Sequence, residues 1–289
     1  MHTEISGSGA DASDDSLATR RLLRDARHFR FSADGIDHTV YQLGQRTDPP
    51  LLLMPEMAGF APGLMAFARR LAGSGFQVYV PWLFGAFLER APFRNGLRLC
   101  ISREFALLRA GTSAPVATWL RRLSARVSEE NGGRNVGVIG MCLTGAFAIP
   151  LVIDPHVTAA VAAQPAIPCS FLFAAFGLRR PAVMRGLNVS DVEIEQARQR
   201  LNRGTAQILA VRSRADRLCP AEKLERLRDE FPVGLTALEY ADETSRNALG
   251  DRPHALFTKE YRLAVDAPAD HWSRRAFADL VAFFRTNLD

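Results

Sequence analysis

The chain has 289 residues, enough for one large α/β domain or two small ones. At 47% hydrophobic and 23% charged it has the composition of a globular protein with a substantial core, and no apolar run approaches the ~20 residues that a bilayer-spanning helix needs. The formal charge of +5 raises nucleic acid as a partner, but the arginines are interleaved with acids in "DARHFRF", "LERLRDEF" and "ARQRLNR". Solvated helix faces account for such a pattern better than a binding stripe does, so neither nucleic acid nor membrane is expected as a partner.

The opening "MHTEISGSGADASDDSLATRRLL" is polar and acidic before its arginines, the reverse order for a secretory signal. Residues 1–20 carry too little apolar surface to offset the entropy of ordering and are expected to be a disordered tail. The four cysteines, Cys100, Cys142, Cys169 and Cys219, show no Cys-x-x-Cys pair and no metal-like spacing to histidine. Reduced thiols, a cytoplasmic location and no metal are the expectation.

"RHFRFSADGIDHTVYQLG" alternates apolar and polar residues about Asp34-Gly35, which predicts an antiparallel hairpin. "PPLLLMPE" reads as a short buried strand, "APGLMAFARRLAGSG" as a helix closing on glycines, and "FQVYVPWLFG" as the next strand. A helix is expected over 101–110, and "APVATWLRRLSARVSEEN" is strongly amphipathic. "VGVIG" and "VTAAVAAQPA" are apolar strands. The segment at about 168–204 interrupts the alternation, contains a helix with a capping box (Ser190 and Glu193), and reads as a lid-like insertion over the carboxyl edge of the sheet. Its "CSFLFAAFGL" suits either a pocket roof or a dimer contact, so monomer and homodimer both stay open. "AQILAVR", "PAEKLERLRDEF", "LTALEYA" and the final "DHWSRRAFADLVAFFRTNL" continue as strand, helix, strand and helix. The alternation predicts an α/β fold over 21–289, one domain with a mostly parallel twisted sheet, helices on both faces and an opening antiparallel hairpin.

In a parallel sheet, reactive groups collect outside the carboxyl ends of the strands. "GMCLTG" there has the nucleophile-elbow pattern, with Gly140 two residues before Cys142 and Thr144, bulkier than usual, two after it. A buried cysteine filling a strand–helix turn is the alternative reading. An elbow enzyme carries its partners in the order nucleophile, acid, histidine. Asp216 in "RADRLCP" and His254 in "DRPHALF" both follow strands in that order, though either residue type is also at home in an ordinary loop. His271, at the start of the last helix beside Asp270, is the rival histidine, one element too late.

These stretches, with "LLLMPEMAG" and "PHALFTKEYRLAVDAPADHWSRRAFADLVAFFR", resemble the dienelactone hydrolase family of α/β-hydrolases from about Phe29 onward. The resemblance implies a cysteine nucleophile at Cys142 with Asp216 and His254, and a glutamate near the thiol at Glu56 that shifts when substrate arrives. It implies an oxyanion hole from the backbone N–H groups of Met57 and Leu143, and a substrate-binding arginine at Arg103. A second arginine, expected four residues past the histidine, is replaced by Thr258. The implied activity is hydrolysis of a small ester or lactone through a thioester, without cofactor. The alternative is a catalytically inactive or thiol-redox-sensing protein that keeps the fold.

Overall fold

The computed structural model describes residues 23, 25–85, 105, 114–166, 184–187, 189–264 and 266–288. Its strands are β1 (Arg27–Ala33), β2 (Ile36–Leu43), β3 (Pro50–Leu53), β4 (Gln77–Pro81), β5 (Val136–Met141), β6 (Val157–Ala163), β7 (Gln207–Ser213) and β8 (Leu235–Tyr240). The longer helices are α1 (Pro62–Gly73), α2 (Pro115–Glu130), α3 (Asp191–Asn202), α4 (Ala221–Glu230) and α5 (Trp272–Leu288). The strands form one sheet in the order β1-β2-β4-β3-β5-β6-β7-β8. β1 pairs antiparallel with β2, and β2 with β4; every other pair is parallel.

The opening hairpin turns at Asp34 and Gly35, both at positive φ (51° and 79°), as a tight turn matched to strand twist requires. The central strands carry small and β-branched residues and are buried on both faces, β5 and β6 almost completely. One face packs against α2, α3 and α4, with Trp119, Leu120, Ile194, Leu201, Leu224 and Leu227 in its core. The other packs against α1 and α5 through Leu64, Phe67, Leu71, Ala276, Leu280 and Phe284. The expected mostly parallel sheet with helices on both faces is therefore the observed one. Among the described residues, no helix is long and apolar enough to cross a membrane.

The sheet order places β3 between β4 and β5, so the chain leaves β3 in one direction and returns past it in the other. That reversal opens a crevice at the carboxyl ends of β3 and β5, where ligands of open α/β sheets bind. Glu56 follows β3 and Cys142 follows β5.

Two features differ from the sequence expectation. The segment after Cys142 is a 3₁₀ turn over Cys142–Phe147 and then only four α-helical residues, Ala148–Leu151. Pro150 supplies no N–H to a longer helix. The supposed insertion to residue 204 also ends in an ordinary crossover helix. α3 starts on the Ser190–Glu193 capping box and buries Ile194, Ala197 and Leu201 against the sheet rather than over its edge. Any lid-like role therefore falls to residues before it, and 167–183 lie outside the described residues. So do the expected tail, Cys100, Cys169, Arg103 and, apart from Phe105, the helix expected over 101–110. Phe105 packs on Phe84 and Phe147, with ring centroids 5.5 and 6.0 Å apart.

Candidate active site

Cys142 follows β5 with φ +52°. A non-glycine residue in this left-handed region is held at a cost of order 1–3 kcal/mol, and only where its neighbours enforce it. Gly140 provides the room, since a Cβ there would sit 2.1 Å from the carbonyl oxygen of Thr144. Thr144, the departure from the usual pattern, supplies the fastening. Its hydroxyl accepts the Met141 N–H at 2.9 Å and shares its single proton between the carbonyls of Pro55 and Met141, at 3.0 and 3.1 Å. The Cys142 carbonyl in turn accepts the N–H of Ala166, 2.9 Å away, on the chain leaving β6. The thiol-bearing residue is left only 6% exposed.

Asp216 hangs from the loop after β7 and is almost fully buried. Its Oδ1 accepts the N–H groups of Leu218 and Cys219, at 2.8 and 3.1 Å, and its Oδ2 meets Nδ1 of His254 at 2.7 Å. The carboxylate is thus both a turn-former and the partner of the imidazole. Arg212, buried in β7 and ion-paired with Glu239, fixes the loop by donating to the Cys219 carbonyl at 2.8 Å.

His254 lies just before a π-helical turn, Leu256–Glu260. Two residues that sequence reasoning did not single out hold this turn. Arg70 of α1 donates to the Phe257 carbonyl and stacks its guanidinium 3.9 Å from the centroid of the Tyr261 ring. Burial pulls its pKa down to about 10, with the Tyr261 charge acting the other way. Glu260, buried, accepts the Asn247 amide at 3.2 Å and, at 3.4 Å, the backbone N–H of His254 itself. Burial pushes its carboxyl up from the usual range.

For the His254 imidazole, burial alone would lower the pKa. The charges of Asp216 and Cys142, with the hydrogen bond to Asp216, outweigh it and hold the ring well above its ordinary 6.5. Nε2 is buried and, among the described residues, makes no hydrogen bond of ordinary geometry. Cys142, Asp216 and His254 therefore come together as one electrostatic unit. His271 does not join them: its Nδ1 pairs with the Ser273 hydroxyl at 2.8 Å, at the start of α5.

Glu56 is half-buried and accepts a hydrogen bond at Oε1 from Thr258 Oγ1, 2.8 Å away. Met57 lies in the turn that Gly59 N–H closes onto the Glu56 carbonyl at 2.8 Å. Leu143 is the second residue of the 3₁₀ turn, where the N–H has no intrahelical acceptor. Their parent strands, β3 and β5, are hydrogen-bonded neighbours.

The sequence model of the dienelactone hydrolase family matches residues 38–239, more than half of the chain. The chain belongs to the dienelactone hydrolase family. The match covers the segments bearing Glu56, Cys142 and Asp216 and stops before His254. Solved structures similar to this dienelactone hydrolase family member include a dienelactone hydrolase from Anabaena variabilis (13% identity, 92% of this chain and 99% of that one, TM-score 0.56). An esterase from Pyrococcus furiosus (12% identity, 99% and 97%, TM-score 0.56) and a cold-adapted esterase from an Arctic intertidal metagenomic library (13%, 91% and 94%, TM-score 0.55) are also similar. At such identities the likeness is one of fold, that of the α/β-hydrolases. No curated protein sequence matches the chain. Family membership makes this a hydrolase of that superfamily.

Cys219 bears on the redox alternative. Burial first, and then the charge of Asp216, pushes its thiol well above the ordinary value. A thiol so held is a poor resolving partner for Cys142.

Proposed function

We propose that the chain hydrolyses small, uncharged esters or lactones through a thioester on Cys142. The observation that supports this most directly is the 2.7 Å pairing of His254 Nδ1 with Asp216, in a ring that the Cys142 thiol also acts on. Asp216 fixes the ring and favours its protonated form. Nε2 takes the thiol proton, and the sulfur attacks the carbonyl carbon of the ester. The oxyanion that forms is held by the N–H groups of Met57 and Leu143. As the C–O bond breaks, the leaving alkoxide takes the proton from Nε2. Water then gives a proton to Nε2 while its oxygen attacks the thioester, and collapse releases the carboxylic acid and restores the thiol.

The position four residues past the histidine carries a neutral hydroxyl already engaged with Glu56, rather than a cation that would grip a substrate carboxylate. Uncharged acyl groups fit this arrangement better than an anionic dienelactone does. Cys142→Ala should abolish turnover of p-nitrophenyl acetate, and mass spectrometry of the wild type quenched during turnover should find the acyl group on Cys142. Undiminished turnover by the variant would remove the proposal.

A further inference from the structure

Gln164 stands one residue past the end of β6, at φ +36°, and is fully buried. Among the described residues, neither its amide oxygen nor its amide nitrogen has a hydrogen-bond partner. A buried donor and acceptor left unmet destabilise the fold, and the left-handed backbone adds to this. Leucine or methionine would fill similar space without the first of these costs.

The place of the residue gives these costs a use. Its N–H donates to the Val211 carbonyl of β7 at 2.7 Å, and two residues later the Ala166 N–H donates to the Cys142 carbonyl at 2.9 Å. Gln164 is therefore pinned between the strand that delivers the nucleophile and the strand that delivers the acid. His254 follows β8 in the same sheet, and its Nε2 is likewise buried and unpartnered among the described residues. An acyl group attacked by Cys142, which follows β5, would lie beside the residues that leave the paired neighbour β6, and Gln164 is the first of these.

We propose that Gln164 determines specificity for the reaction proposed above, its amide hydrogen-bonding a neutral polar group, a hydroxyl or a carbonyl, on the acyl part of the substrate. An amide offers one donor face and one acceptor face and so matches a neutral group. An anion could use only the donor face. The inference rests on the hydrolase reading and adds to it the chemical class of the acyl chain.

The test compares p-nitrophenyl butyrate with its 3-hydroxy and 3-oxo derivatives on the full chain. The wild type should favour the substituted esters by roughly five- to tenfold in kcat/KM, the value of one neutral hydrogen bond in a closed site. Gln164→Leu should erase that preference, leave the butyrate within about twofold, and keep the thermal midpoint unchanged or higher. Gln164→Met serves if the leucine variant does not fold. Equal losses on all three esters would assign Gln164 to the hydrolytic water or to structure and overturn the proposal. So would an unchanged preference, or a wild type that hydrolyses all three alike. A wild type inactive on every ester would instead refute the hydrolase reading itself, and the specificity role with it.

Discussion

The hydroxyl of Thr258 donates to Oε1 of Glu56 at 2.8 Å, joining the turn after β3 to the histidine loop across 202 residues of sequence. The residue that stands where the family resemblance implies a second arginine is thus the hydrogen-bond partner of Glu56. Thr258→Val keeps the shape and removes the donor. Its kcat/KM on neutral esters should fall about three- to tenfold, the range of one charge-assisted hydrogen bond. Thr258→Ser should restore most of the loss, and steady-state kinetics of the pair checks both.

Asp216→Asn replaces an acceptor facing His254 with a mixed amide. Removing the orienting carboxylate should lower kcat by roughly 10²–10⁴-fold. It should also bring the imidazole pKa down, since burial lowers it and Asp216 is the larger of the two charges that raise it. An NMR titration of His254 should find a midpoint well above 6.5 in the wild type and a lower one in the variant. Because the folded-state pKa is the higher one, the associated stability is complete below the unfolded value near 6.5. It is lost as pH rises through the folded value. Denaturation at a series of alkaline pH values should show this decline in the wild type and a flatter profile in Asp216→Asn.

Gly140→Ala places a methyl group 2.1 Å from the Thr144 carbonyl oxygen, a backbone atom with no rotamer to yield. The elbow has to shift, at a cost of about 3 kcal/mol or more. Chemical denaturation should register this loss, and esterase activity should vanish together with it.

Arg70→Met removes the guanidinium from the Phe257 carbonyl and the Tyr261 face while keeping an apolar side chain of similar length. The π-helical turn after His254 should loosen, lowering kcat several-fold with little change in KM and reducing the thermal midpoint by a few degrees. Arg70→Lys should not rescue it, because an ammonium lacks the planar fork that stacks and donates at once.

The loop positions of Cys142, Asp216 and His254 were legible because each rests on a local pattern. These are the small residue before the cysteine, the loop after β7 and the loop after β8, in an order that topology imposes. The supports around them were not. Arg70 and Glu260 act on the histidine loop from a distant helix and from within a π turn, and neither leaves a periodic or spacing signal. Thr144 looked like an imperfect glycine, since nothing local reveals that its hydroxyl reaches Pro55, 89 residues away in sequence. α3 was recognised as a helix through its capping box, but its docking face depends on the crossover between β6 and β7. The same holds for Gln164, whose sequence neighbours "AAQPA" give no sign of a stranded amide.

The pairing of β3 with β5 has a kinetic corollary. The turn after β3, the Cys142 turn and the histidine loop are joined by contacts between segments far apart in the chain, and such contacts form slowly because long loops close first. During refolding, secondary structure should return well before catalytic competence. Turnover itself would then mark the last step of assembly.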